Sequence, residues 1–104
     1  MKNVAVFLCI LGLILICVSF GIAEETSGKE LYRSCAACHG ENGESMALGV
    51  SKPLKGQTAK QILEKLNGYA DETYGGSKKS VMLGIAKRMT EEDRKKVSEY
   101  ISAF

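Results

Sequence analysis

Cys35-Ala36-Ala37-Cys38-His39 is the stretch on which the reading of this chain turns. Two cysteines three residues apart share one helical turn, and each sulfur can form a thioether to a vinyl group of a porphyrin, the C-x-x-C-H pattern of c-type haem attachment. The adjacent imidazole then falls beneath the ring, where it can ligate iron as the proximal axial ligand. Other readings of the pentapeptide are weaker. A thioredoxin-like dithiol needs a βαβ setting, and nothing upstream of Cys35 reads as a strand. A structural zinc site needs four ligands, and no His or Cys follows His39.

Upstream of the motif, Met1 to Ala23 opens with Lys2, runs apolar from Val4 to Ile16 and on through Val18, and closes on Gly21-Ile22-Ala23 ahead of Glu24. That is the layout of a secretory signal peptide with a small-x-small cleavage site. The apolar stretch also approaches the length of a bilayer span, so an uncleaved membrane anchor is the alternative. Cys9 and Cys17 lie inside this segment, and Ile16 rather than a small residue precedes Cys17, which argues against a lipoprotein signal. Cleavage after Ala23 leaves 81 residues with two cysteines, both committed to haem, so neither a free thiol nor a disulfide is expected in residues 24–104. A chain of that size is near the lower limit for stability from its own core. A covalently held porphyrin would supply the apolar centre, and the apoprotein is expected to be largely unfolded.

From Glu24 onward the pattern is that of short helices joined by glycine-rich loops. Ser27-Gly28-Lys29-Glu30 has the S-x-x-E form of a capping box, predicting a first helix from Gly28 that carries Leu31, Tyr32 and Cys35 towards the core. Gly40, Asn42 and Gly43 signal a loop after the motif. Residues 44–57 have little period and hold the only proline, Pro53, so they read as an extended surface turn. Thr58 caps a second helix through about Asn67, with Ile62, Leu63 and Leu66 as one stripe and Gly68 placed to stop it. Val81, Met82, Ile85 and Met89 recur at helical spacing and predict a third helix. Thr90-Glu91-Glu92-Asp93 starts the last, with Val97, Tyr100, Ile101 and Phe104 facing inward. The expected fold class is all-α, with about four short helices around one haem.

These features together resemble a class I cytochrome c, over nearly all of Glu24 to Phe104. Lys52-Pro53-Leu54-Lys55-Gly56-Gln57, Asn67-Gly68-Tyr69-Ala70-Asp71 and Tyr74-Gly75-Gly76 are similar to stretches of the small bacterial monohaem group called cytochrome c-553. The resemblance implies residue roles. Met82 matches the distal sulfur ligand. Pro53 matches the proline whose carbonyl accepts a hydrogen bond from the proximal imidazole, a contact that fixes ring orientation. Leu54 would pack on the porphyrin, and Gly28 matches the small residue that lets the last helix cross closely at Tyr100.

Spacing by itself leaves two distal candidates. Met46 follows His39 too soon to pass around the haem edge, but Met89 lies seven residues beyond Met82 on the same helical face. Tyr69 and Tyr74 are open in the same way: their hydroxyls would bond haem propionates, or the rings would be ordinary packing at a rim.

The activity implied is single-electron transfer rather than catalysis, because a His/Met iron has both axial positions filled. A gas-binding or peroxidase-like haem protein would need Met82 not to coordinate, and a thiol oxidoreductase would need Cys35 and Cys38 free. The expected partners are redox proteins of a respiratory chain, such as periplasmic dehydrogenases, reductases or a terminal oxidase. A monomer in the periplasm is expected, with no nucleic-acid partner, and with membrane association only if the leader is retained. Charge is uneven along the chain: residues 24–44 hold two basic and five acidic side chains, whereas 45–90 hold eight basic and three acidic. The basic part carries Pro53 and Met82, so Lys52, Lys55, Lys78 and Lys79 are the expected haem-rim cations.

Overall fold

The Ser27 hydroxyl accepts from the Glu30 N–H at 3.2 Å and starts the first helix, α1 (Gly28–His39), in a computed structural model that describes residues 26–104. The proposed leader, Met1 to Ala23, lies outside the described residues. The reciprocal Glu30 side-chain bond of a full capping box is not made, so Ser27 acts as a simple N-cap. α1 ends at His39 because Gly40 takes φ +86°, a left-handed value that favours glycine, and its N–H returns to the Ala36 carbonyl at 2.8 Å.

The chain then runs through a short 3-10 turn, Ala47–Gly49, to α2 (Ala59–Ala70), α3 (Lys79–Arg88) and α4 (Glu91–Ser102). Thr58 and Gln61 form a capping box at the head of α2, and Thr90 and Asp93 form another at the head of α4. Each satisfies two backbone groups that the first turn would otherwise leave unpaired.

One expectation needs correcting. Gly68 does not stop α2 but lies buried inside it, and the helix continues to Ala70. The reason is tertiary. A Cβ on Gly68 would stand 2.6 Å from the Tyr74 Cβ, and the Gly68 carbonyl accepts from the N–H groups of Thr73 (2.8 Å) and Tyr74 (3.2 Å). The glycine is needed for close approach of a returning loop, not for a break. That reversal is achieved at Glu72, where φ is +62°.

α4 is the central element, packed against both α1 and α2, and α3 packs along α2. Tyr32, Ile62, Leu66, Val97 and Ile101 form the buried cluster, one or two residues from each of α1, α2 and α4. Where α1 crosses α4, Tyr32, Tyr100 and Phe104 form an aromatic group; Tyr32 and Phe104 meet edge to face at 4.9 Å. The crossing is close because Gly28 has no side chain: a Cβ there would meet the Lys96 carbonyl oxygen at 2.6 Å and the Tyr100 Cβ at 2.9 Å. Ser98, which the apolar stripe passes over, is 1% exposed, and its hydroxyl donates to the Arg94 carbonyl at 2.6 Å. The described residues contain no strand, and no helix among them is long and apolar enough to cross a membrane.

Candidate functional site

His39 is the last residue of α1, and that position is held from several sides. Gly40 turns the chain away, the Tyr32 hydroxyl donates to the Gly40 carbonyl, and the Ser45 N–H donates to the His39 carbonyl at 3.0 Å. The imidazole is 6% exposed, and its Nδ1 is buried without a hydrogen-bond partner. Burial pulls the ring below its usual pKa, which keeps it neutral, the form that carries a lone pair for a metal. Cys35 lies one turn back and is half-buried, and burial pushes its thiol up; Cys38 is exposed.

These three side chains open onto a cavity of about 540 Å3, within the range of about 300–1,000 Å3 usual for small-cofactor sites. Its floor is the core itself, Ile62 and Leu66 from α2 and Val97 and Ile101 from α4. One wall is α3, through Val81, Met82, Ile85 and Met89, the last just past the helix end. Another is the segment Ala47 to Leu54, and the rim carries Tyr69, Tyr74, Gly75 and Gly76.

Several site residues expected from sequence are therefore gathered here: Cys35, Cys38, His39, Leu54, Tyr69, Tyr74 and Met82 all line one space. Met89 lines it too, so the cavity alone does not choose between the two methionines. Met46 does not line it and is largely exposed. Tyr69 and Tyr74 meet edge to face at 5.0 Å, and burial raises the Tyr69 phenol. Among the described residues neither hydroxyl has a hydrogen-bond partner, so both retain a donor for an acceptor at the rim.

Pro53 stands apart. It borders the neighbouring groove, and its carbonyl accepts from the Gln57 side-chain amide at 2.9 Å. That leaves one lone pair on the oxygen, and the Pro53–His39 bond implied by the family pattern is not among the bonds formed. Leu54 is nonetheless drawn to the motif, because the Lys55 N–H donates to the Gly43 carbonyl at 3.0 Å. Gly43 is itself buried at φ +68°, with Leu54 and Phe104 each 3.0 Å from where a Cβ would be.

Sequence reasoning missed the wall at Ala47, Leu48 and Val50. Residues 44–57 read as a plain surface loop, yet Leu48 and Val50 face the cavity while 53% and 64% exposed. The available signal was an apolar cluster, Met46-Ala47-Leu48-Gly49-Val50, in a segment with no period. Of the expected rim cations, Lys52, Lys78 and Lys79 line the cavity and Lys55 does not, whereas Lys65, assigned no part from sequence, does.

The residues present fit a haem: an apolar chamber, a neutral imidazole with an orphaned ring nitrogen, and two thiols one turn apart at the entrance. A chamber of this kind entered through a C-x-x-C-H turn defines the class of small helical proteins that carry covalently bound haem. The chain belongs to the cytochrome c family, whose model, described as Cytochrome c, matches residues 25–104. It is 41% identical over 102 residues to cytochrome c-553 of Nitratidesulfovibrio vulgaris (strain Miyazaki F), a match covering 98% of each chain. It is 38% identical over 78 residues to cytochrome c-553 of Desulfomicrobium norvegicum, covering 74% of this chain and 95% of that one. Similarity to cytochrome c-553 of Helicobacter pylori (strain J99) is 40% over 76 residues, covering 73% of this chain and 76% of the relative. The chain is thus a monohaem c-type cytochrome, an electron-transfer protein rather than an enzyme, with one covalently attached haem c.

Proposed function

We infer that this cytochrome is an exported carrier that moves single electrons between redox proteins of a respiratory chain, with His39 and Met82 as the axial ligands. Haem c supplies the reversible iron couple; the residues of this chain determine how it is held and how it is approached. Cys35 and Cys38 give the two thioether sulfurs, and because they share one turn of a helix closed by Gly40, the imidazole of His39 is fixed relative to both. The observation that carries the reading is the convergence of Cys35, Cys38, His39 and Met82 on a single apolar cavity. Leu54, Ile62, Leu66 and Ile85 keep water from the centre, which favours a fixed ligand set over exchange with solvent. Tyr69 and Tyr74 present phenol donors at the rim, where haem carboxylates would lie.

Partner docking falls to the cavity mouth. There Lys52, Lys65, Lys78 and Lys79 surround exposed apolar residues Leu48, Val50 and Val81, a surface suited to an acidic partner with an apolar centre. Periplasmic dehydrogenases, reductases and terminal oxidases are the partners proposed for that surface. Export is supported by the leader pattern and by the start of the family match at residue 25, next to the proposed cleavage point.

A redox titration with the optical spectrum recorded in both states tests the carrier reading. A low-spin spectrum with the far-red sulfur-to-iron band in the oxidised form is expected, and a high-spin spectrum would refute it. Release of free haem on acid denaturation would refute the attachment. Intact mass of protein from its native host should lack residues 1–23; a species retaining them would mean a membrane-anchored carrier.

A further inference from the structure

Arg94, in the first turn of α4, joins three helices through one half-buried guanidinium. Its Nε donates to the Asn67 Oδ1 on α2 at 2.9 Å. Its Nη1 donates to the carbonyl oxygens of Ala86 (3.1 Å) and Met89 (2.8 Å), at the last turn and C-cap of α3. The last carbonyls of a helix carry the negative end of its dipole, and the Ala86 oxygen has only the Met89 N–H at 3.2 Å beside Arg94, so a cationic donor is a strong ligand for them.

α3 has few other restraints. It packs along α2, but only Ala86 is fully buried on it, and Lys78 at its start provides no side-chain cap. Its ion pair, Lys87 with Glu72, is solvent-exposed and so contributes little. Arg94 by contrast is itself held. Asn67 fixes the guanidinium plane through Nε, and the buried Ser98 hydroxyl bonds the Arg94 carbonyl at 2.6 Å.

We propose that Arg94 is the positioning residue for the distal ligand: by gripping the Ala86 and Met89 carbonyls it sets the depth and rotation at which α3 presents Met82 to the cavity. This rests on the reading of Met82 as the axial sulfur. Met82 stands one turn before Ala86, so a shift of the helix end carries directly to the sulfur. Lysine cannot reproduce the effect in full, since its single nitrogen cannot hold Asn67 as Nε does while also donating to both carbonyls as Nη1 does.

The test uses ferric holoprotein and imidazole as the probe of the sixth position. In Arg94→Gln the far-red band should weaken and imidazole affinity should rise about tenfold, a shift of about 1.4 kcal/mol in the competition for the sixth position. Arg94→Lys should fall between that variant and the parent. Gly28→Ala serves as the control for mere destabilisation: it loosens the α1–α4 crossing and should leave imidazole affinity within about twofold. If Arg94→Gln yields no holoprotein, Arg94→Lys and Asn67→Ala give the same reading at smaller amplitude. An unchanged band and affinity in the Arg94 variants, or a change no larger than that of Gly28→Ala, overturns the proposal. A band that survives in Met82→Ala removes the ligand assignment and this proposal with it. A band lost in Met82→Ala but untouched in the Arg94 variants overturns the role of Arg94 alone.

Discussion

Gly28 on α1 lies directly against Tyr100 on α4, so close that a Cβ on the glycine would sit 2.9 Å from the tyrosine Cβ. The contact sets the depth of the helix crossing, and that depth brings Tyr32 of α1 into the cluster of Ile62, Leu66, Val97 and Ile101 beneath the cavity. Gly28→Ala should therefore destabilise the protein by about 1–3 kcal/mol, the usual cost of overpacking a contact whose neighbours are backbone. For a domain of this size that lowers Tm by several degrees, about 4–8 °C per kcal/mol. Unchanged thermal unfolding of the holoprotein would show that the two helices separate without cost.

Gly68 and Gly84 both lie inside helices, and the structure assigns them opposite outcomes on replacement by alanine. Each substitution gains about 1 kcal/mol of helix propensity. At Gly84 nothing lies within 4 Å of the new methyl, so the gain should appear as a raised Tm. At Gly68 the methyl meets the Tyr74 Cβ at 2.6 Å, and the loop tied to the Gly68 carbonyl must move. Overpacking of about 1–3 kcal/mol outweighs the propensity gain there, and Tm should fall. Denaturant unfolding of the two variants in parallel checks the sign of each.

Met82 and Met89 both line the cavity, so the distal assignment rests on paired variants. Met82→Ala should abolish the far-red band and admit imidazole or cyanide to the iron. Met89→Ala should keep the band and lose stability, by less than the roughly 2–5 kcal/mol of a fully buried methionine because Met89 is only partly buried against the core. The reverse pattern would transfer the ligand role to Met89.

Electron transfer to an acidic partner should slow as ionic strength rises, because exposed charges are screened beyond about 8 Å at physiological salt. Lys78→Glu combined with Lys79→Glu should slow it as well, and more at low salt than at high. Stopped-flow rates that are insensitive to both changes would place docking on the apolar residues Leu48, Val50 and Val81.

Glu44 offers a pH readout in the turn that follows His39. Its carboxylate accepts from the Asn42 N–H at 2.9 Å, and bonds to its own and the Asn42 backbone amides hold its pKa below the usual value of 4.5. The folded state thus favours the charged form. The stabilisation is complete above the unfolded pKa and is lost as pH falls through the folded one. Glu44→Gln should lower stability at neutral pH, leave it nearly unchanged in acid below the folded pKa, and so flatten the acid limb of the stability profile.

The sequence alone determined the helices and the haem turn, because the interactions that specify them are local. Ser27, Thr58 and Thr90 each cap the N–H three residues on, the apolar stripes repeat at helical spacing, and the C-x-x-C-H pentapeptide needs only one turn and Gly40 to bring its two sulfurs and its imidazole together. Tertiary structure decided whatever depends on two distant segments meeting. Gly68 read as a helix stop because a glycine's neighbours across space are not written beside it; its meaning came from Tyr74 folding back upon it. Residues 47–50 read as surface because a half-exposed wall carries no period. Nothing beside Arg94 in the chain marks it out, and only the approach of α2 and α3 gave its guanidinium the three oxygens that make it a clamp. A side chain's chemistry is legible in the chain when its partner lies within about one helical turn, and becomes legible only in the fold when packing has to supply the partner.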